Sequence, residues 1–156
     1  VYFEVKDNVT RLRNHASLGL WCGNNEIESM SAAWIYRKDI IKETGEFFYS
    51  TLKNWVKKFD CVTPYWACTP SSGEYMAQVN SDDFGDTHLW NVWHGMRNVD
   101  FYRKRMTKFC SEFGLESYPS MNAINKAIPK EQQHIKSPSI NAHQKCGVGE
   151  ALQIRF

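Results

Sequence analysis

Two acidic residues stand where short apolar runs stop. Leu20-Trp21-Cys22-Gly23-Asn24-Asn25 leads into Glu26, and Phe109-Cys110-Ser111 leads into Glu112, with Phe113-Gly114 beyond it. A buried strand that ends in a small polar cluster projects its last side chain from the end of the sheet. In β/α architectures that end carries the catalytic groups. Two carboxylates facing each other across such an opening are the minimum equipment for cleaving a glycosidic bond, one attacking and one handling the proton.

The elements that must position these acids are legible as alternating patterns. Val5, Val9 and Leu12 recur at helical spacing across residues Val1 to Asn14, and Ser17 to Cys22 reads as a short buried strand. Ser29 to Phe59 is helical in more than one piece, with Ile40, Ile41, Phe47, Phe48, Leu52, Trp55 and Val56 as its apolar stripe and Gly45 as a break. Val62 to Trp66 is a second strand, running into the turn formers Thr69-Pro70-Ser71-Ser72-Gly73. A third strand with its exit loop spans Thr87 to Trp93, and a fourth strand spans Lys108 to Phe113. Short helices are expected over Phe101 to Met106 and Ser120 to Ile128, and another from near Ser139. Strands that alternate mainly with helices predict an α/β fold with a parallel sheet. Four strands are half of an eight-stranded barrel, so the chain reads as a piece of a longer protein.

Composition narrows the function classes. The 156 residues are 42% hydrophobic and 23% charged, which is globular rather than disordered. A net charge of +2 is too small a bias to argue for nucleic acid or an anionic membrane as partner. No segment is long and apolar enough to span a bilayer, and no signal peptide is visible, so the compartment stays open. Aromatic residues make up 14%, enough either for a large aromatic core or for flat platforms under sugar rings. The cysteines Cys22, Cys61, Cys68, Cys110 and Cys146 form no CxxC or Cys/His zinc spacing, so neither a metal site nor a disulfide framework is expected. Cys22 and Cys110 lie in apolar runs and read as buried thiols.

Four segments together resemble a known family. Ser17-Leu18-Gly19-Leu20-Trp21-Cys22-Gly23-Asn24-Asn25-Glu26 is similar to the acid/base strand of the β-mannosidases of glycoside hydrolase family 2. Pro64-Tyr65-Trp66 with Pro70-Ser71-Ser72-Gly73, and then Gly85-Asp86-Thr87-His88-Leu89-Trp90-Asn91-Val92-Trp93-His94-Gly95, resemble the next two segments in that family's order. Phe109 to Pro119 looks like the nucleophile strand and its loop. Ala67-Cys68 stands where the family pattern suggests a Pro-Ser type of pair, and Ala16 where it suggests Pro. The resemblance implies a partial (β/α)8 TIM barrel over residues 1–156, roughly the fourth to seventh strands with their helices. The first three strands, the eighth strand and the flanking β-sandwich domains would lie outside it.

What the resemblance implies for chemistry is specific. Glu112 is the expected nucleophile, forming a covalent glycosyl-enzyme, and Glu26 the acid/base. A carboxyl separation of about 5–5.5 Å is expected for retention of configuration. Asn25 is the expected partner of the substrate 2-hydroxyl, while Asn24 reads as structural. His88, Trp90 and Trp93 are expected to line the subsite of the non-reducing sugar. Strand alternation would put His88 and Trp90 on one side, and Asp86 two residues before His88 could orient its ring. Trp66 and Tyr65 read as core. Glu28 and Glu116 rival the two acids only if the register is off by one turn. The expected activity is retaining exo-hydrolysis of terminal non-reducing β-D-mannose from an oligosaccharide, with no metal or organic cofactor. The alternatives are another family 2 glycosidase (exo-β-glucosaminidase, β-galactosidase or β-glucuronidase) or a non-catalytic carbohydrate-binding remnant. Oligomeric state has no signature in the sequence.

Overall fold

The computed structural model describes residues 1–34 and 38–147. Helices α1 (Tyr2–Leu12), α2 (Ile27–Trp34), α3 (Lys38–Glu46), α4 (Leu52–Phe59), α5 (Phe101–Lys104), α6 (Met121–Ala127) and α7 (Pro138–His143) are interleaved with four short strands. These are β1 (Trp21–Cys22), β2 (Tyr65–Trp66), β3 (Thr87–Leu89) and β4 (Cys110–Phe113). The chain divides into two compact units, Val1–His88 with Met106–Glu112, and Leu89–Arg105 with the chain from Phe113 on.

In the first unit the apolar stripe of α1 meets that of α4. Val9, Leu52 and Val56 are buried, and Val5, Trp21, Phe47, Phe48, Trp55, Phe59 and Tyr65 close around them. The aromatic content is used largely here: Trp55 meets Tyr2 edge-on at 5.2 Å and Phe47 at 6.0 Å, the geometry that ring quadrupoles favour. Asp60 ends α4 and ties it to the first strand. Its Oδ1 accepts from the backbone of Val62 and Thr63, each at 3.0 Å, and its Oδ2 from the Trp21 indole at 2.9 Å. Bonds from Thr63 and then from Trp21 hold its carboxyl well below the usual range. They also explain why β2 is shorter than the run Val62 to Trp66: the amides of Val62 and Thr63 serve the carboxylate instead of a ladder.

The helical stretch is broken as expected, but not at Gly45. That residue lies within α3, and the irregularity follows it as a π-helical turn at Phe47–Thr51. Gly45 is there for space. A β-carbon at Gly45 would sit 2.5 Å from Tyr75 Cε1, whose ring lies against the helix and whose hydroxyl donates to the Ile41 carbonyl at 2.5 Å. Gly45→Ala is therefore expected to destabilise the chain by about 1–3 kcal/mol, the cost of overpacking, despite alanine's better helix propensity. Urea denaturation checks this, and an unchanged midpoint would contradict it.

β1 and β2 pair in parallel, Trp21 opposite Tyr65 and Cys22 opposite Trp66, and the same register recurs where Asn25 bridges Thr69. The amides of Trp21, Gly23 and Glu26 donate to the carbonyls of Pro64, Trp66 and Thr69. β3 and β4 form a second two-stranded sheet, separate from the first. In place of one parallel sheet the four strands form two pairs, of which β1–β2 is parallel. Pro70, which has no N–H to offer a ladder, directly follows the last bridged residue of the first pair.

In the second unit the chain turns at once after β3. The amides of His94 and Gly95 both donate to the Trp90 carbonyl, so of the strand and exit loop expected over Thr87 to Trp93 the strand takes Thr87–Leu89 and the loop begins at Trp90. Val92 and Trp93 are buried, and Arg105 Nη1 bonds Asn91 Oδ1 at 3.0 Å. Ile124 and Ile128 are buried residues of this unit. Ser137 caps α7 by accepting from the Ile140 amide, with Pro138 in the first turn, as its sequence dictates. Cys22, Cys61, Cys68 and Cys146 are free thiols. Cys22, expected to be buried, is exposed, whereas Cys68 is fully buried. Among the described residues no helix is long and apolar enough to cross a membrane.

Candidate active site

The end of β1 is built to hold Glu26 in one orientation. Asn24 is structural: its amide donates to the Ala67 carbonyl at 2.8 Å, and its Oδ1 accepts from the Ile27 amide at the start of α2. Cys68 Sγ also reaches that oxygen at 3.0 Å, and burial pushes the Cys68 thiol up to about 11. Glu26 itself has φ +60°, a left-handed conformation uncommon outside glycine. Such a conformation costs about 1–3 kcal/mol and persists only when neighbours determine it. Here the Glu26 amide is fixed to the Thr69 carbonyl at 2.7 Å, and the Glu26 carbonyl accepts the first turn of α2 from Met30.

Three side chains of the first unit then converge. His88 Nδ1 lies 2.7 Å from Glu26 Oε1 and 3.3 Å from Glu112 Oε2. One oxygen of each acid and the imidazole nitrogen all fall within 4.8 Å of one another. The imidazole is 2% exposed at its side chain and each carboxylate 35%. The pair therefore opens to solvent on one side and rests on a buried ring. An acid–histidine–acid trio is also a donor set for a divalent cation. A nitrogen–oxygen distance of 2.7 Å is hydrogen-bond length, and we read the trio as hydrogen-bonded rather than as metal ligands. No metal-like spacing marked it in the sequence because its members are far apart along the chain.

Behind the ring stands Asp86, which is 6% exposed. Its Oδ1 accepts from Trp66 Nε1 at 3.0 Å and the Ser71 amide at 2.9 Å, and its Oδ2 from the hydroxyls of Thr69 and Ser111, each at 2.5 Å. Burial alone would raise its pKa, but the bonds from Ser111, Thr69, Ser71 and Trp66 outweigh burial and hold it below the ordinary value. Gly85 makes room for it: at φ +61° its β-carbon would overlap the Ser71 carbonyl, to which the Asp86 amide donates. Thr69 Oγ1 in turn lies 2.8 Å from His88 Nε2. Asp86 thus reaches the imidazole through a hydroxyl and not directly. The Asp86-x-His88 spacing hinted at this link. Thr69 and Ser111 carried no signal, because a hydroxyl residue beside a turn is commonplace.

The other expected site residues are distributed as follows. Asn25 is exposed, one position before Glu26 on the bridge to Thr69. Trp90 and Trp93 belong to the second unit. Trp90 is half-buried, its ring 5.4 Å from that of His94, whereas Trp93 is 3% exposed. Because β3 ends at Leu89, strand alternation does not extend to Trp90. Glu28 is buried, with Oε1 accepting from the Tyr49 hydroxyl and Oε2 from the Met76 amide. Its carboxylate serves to fasten α2 to later loops, which leaves Glu26 as the acid at this strand end.

Known proteins are similar to this chain over most of its length. Beta-mannosidase B of Thermothelomyces thermophilus is 28% identical over 92% of this chain, and Beta-mannosidase B of Aspergillus oryzae is 30% identical over 92%. The crystal structure of a beta-D-mannosidase from Dictyoglomus thermophilum superposes with a TM-score of 0.80 at 31% identity, covering 99% of the chain. The chain aligns with one segment of these β-mannosidases. It spans 18% of the length of the two curated relatives and 19% of the solved structure. No protein-family model matches it. Among the described residues, Glu26, His88 and Glu112 bring two acids and a ring nitrogen together.

Proposed function

We propose that this segment carries the catalytic pair of a retaining β-mannosidase of glycoside hydrolase family 2. On this reading the segment is part of a (β/α)8 barrel whose remaining strands lie outside these 156 residues. Glu112 attacks the anomeric carbon while Glu26 gives a proton to the departing oxygen. The C–O bond breaks toward that oxygen, and a covalent glycosyl–Glu112 ester forms. Glu26, now ionised, takes a proton from water, the water oxygen attacks the same carbon, and Glu112 leaves as a carboxylate with net retention. Asn25 would hold the 2-hydroxyl, and the family resemblance assigns the terminal sugar to Trp90 and Trp93.

The observation that carries this reading is the approach of the two carboxylates. Oxygens of Glu26 and Glu112 come within 4.8 Å of each other. That supports direct attack, with carboxyl groups about 5–5.5 Å apart, over the water-sized gap of about 6.5–9.5 Å used in inversion. The β-mannosidase relatives support the sugar. The test is a panel of nitrophenyl glycosides given to a protein that includes the flanking sequence. The β-mannoside is expected to be cleaved well above the β-galactoside, β-glucuronide and β-glucosaminide, with the β-anomer as first product. Cleavage of one of the others in its place would reassign the substrate. The 156 residues alone are expected to turn over weakly or not at all, since short strand pairs with open edges give a poorly held site.

A further inference from the structure

A proton count around His88 fixes more than the positions of the acids. Asp86 is buried with its pKa held low, so it is ionised and can only accept. Both hydroxyls that reach its Oδ2, those of Thr69 and Ser111, must therefore spend their single hydrogen on it. Thr69 Oγ1 then has only lone pairs left for His88 Nε2, 2.8 Å away, so the Nε2 position must carry the hydrogen. A neutral imidazole has one N–H. Its other nitrogen, Nδ1, is bare, and it is the one that faces Glu26 at 2.7 Å and Glu112 at 3.3 Å.

A bare nitrogen and an ionised carboxylate are both acceptors and cannot bond to each other. A 2.7 Å contact between them requires one further proton.

We propose that Asp86, acting through the Thr69 hydroxyl, is a positioning residue that locks His88 in its Nε2–H form, so that the trio of Glu26, His88 and Glu112 holds one mobile proton, seated between His88 Nδ1 and Glu26. That proton is the one Glu26 delivers to the leaving oxygen, and the water of the second step returns it, so the count is restored after each turnover. Its use rests on the hydrolase reading above, whereas its location does not. The groups that bear on the ring are Glu26 and Glu112 at Nδ1, and Thr69 at Nε2 with Asp86 and Ser111 behind it. Asn80 fixes the His88 backbone through both its side-chain atoms, and the Cys22 thiol is close enough to feel the Asp86 charge.

Nitrogen-15 NMR of the histidine-labelled protein, flanking sequence included, reads this directly and needs no turnover. His88→Asn identifies the His88 signals among those of the other histidines. The neutral ring is expected to show a protonated Nε2 with slowed solvent exchange and a bare Nδ1. Thr69→Ser is expected to keep that form. Thr69→Val, which removes the acceptor, is expected to shift the ring toward Nδ1–H donating to Glu26. A neutral wild-type ring protonated at Nδ1, or a folded Thr69→Val chain with the wild-type pattern, overturns the proposal. Should Thr69→Val fail to fold, the wild-type and Thr69→Ser spectra decide it on their own. Loss of β-mannoside cleavage with an intact Nε2–H signature would instead count against the hydrolase reading alone.

Discussion

Replacing Glu112 by glutamine is expected to reduce β-mannoside turnover by on the order of 10⁴-fold or more, whatever the leaving group. The amide has nearly the same shape and loses only the charge and nucleophilicity, so the fold is expected to persist. Glu26→Gln should behave differently. Its loss removes proton transfer, worth roughly 10²–10⁴-fold, and the first step should suffer far less with nitrophenolate, which departs without a proton, than with a sugar alcohol. A burst of nitrophenol from Glu26→Gln, absent from Glu112→Gln, is the expected signature in stopped-flow assays of the flanked protein. The reverse pattern would exchange the two roles. Full activity in Glu112→Gln would remove the double-displacement reading.

The largest stability effect is expected at Asp86. Alanine there leaves the Trp66 indole, the Ser71 amide and the hydroxyls of Thr69 and Ser111 without their shared acceptor in a buried setting. Each unsatisfied buried donor costs about 1–3 kcal/mol. With partial relaxation and water entry, a total loss of about 3–5 kcal/mol is expected, the range for removing one member of a buried ionic network. Asp86→Asn should lose less, because it keeps one acceptor oxygen. The pH dependence has a definite sign. The folded-state pKa lies below the ordinary carboxylate value of about 3.9, so the stabilisation is complete above that value. It is lost as pH falls through the folded pKa. Urea midpoints between neutral pH and about pH 3 should therefore fall further for wild type than for Asp86→Ala. Equal slopes would show that Asp86 contributes no such linkage.

Much of the fold was legible because its periodicities are local. The helical spacing of Val5 and Val9, the stripe from Ile40 to Val56 and the stop before Pro129 each follow from short-range patterns that neighbouring packing reinforces. That one strand precedes Glu26 and another carries Glu112 was visible for the same reason. Lengths were not. Val62 and Thr63 left their ladder for the Asp60 carboxylate, and Trp90 began a turn, two outcomes set by partners the strand pattern does not encode. Gly45 read as a breaker because glycine usually is one, whereas its missing side chain admits Tyr75 from thirty positions away.

Residue types and order alone determined that Glu26 follows one strand and Glu112 lies near the end of another, that Asn24 stays behind as a structural amide, and that the segment resembles the β-mannosidases. Only the tertiary structure decided that His88 stands under both acids, that Glu28 is a buried fastening, and that Thr69 and Ser111 link the ring to Asp86. The physical reason is that apolar periodicity is written in neighbouring residues. A hydrogen-bond network has no period, and its members, spread from Glu26 to Glu112, become partners only once β1 with β2, and β3 with β4, have set their ends in place.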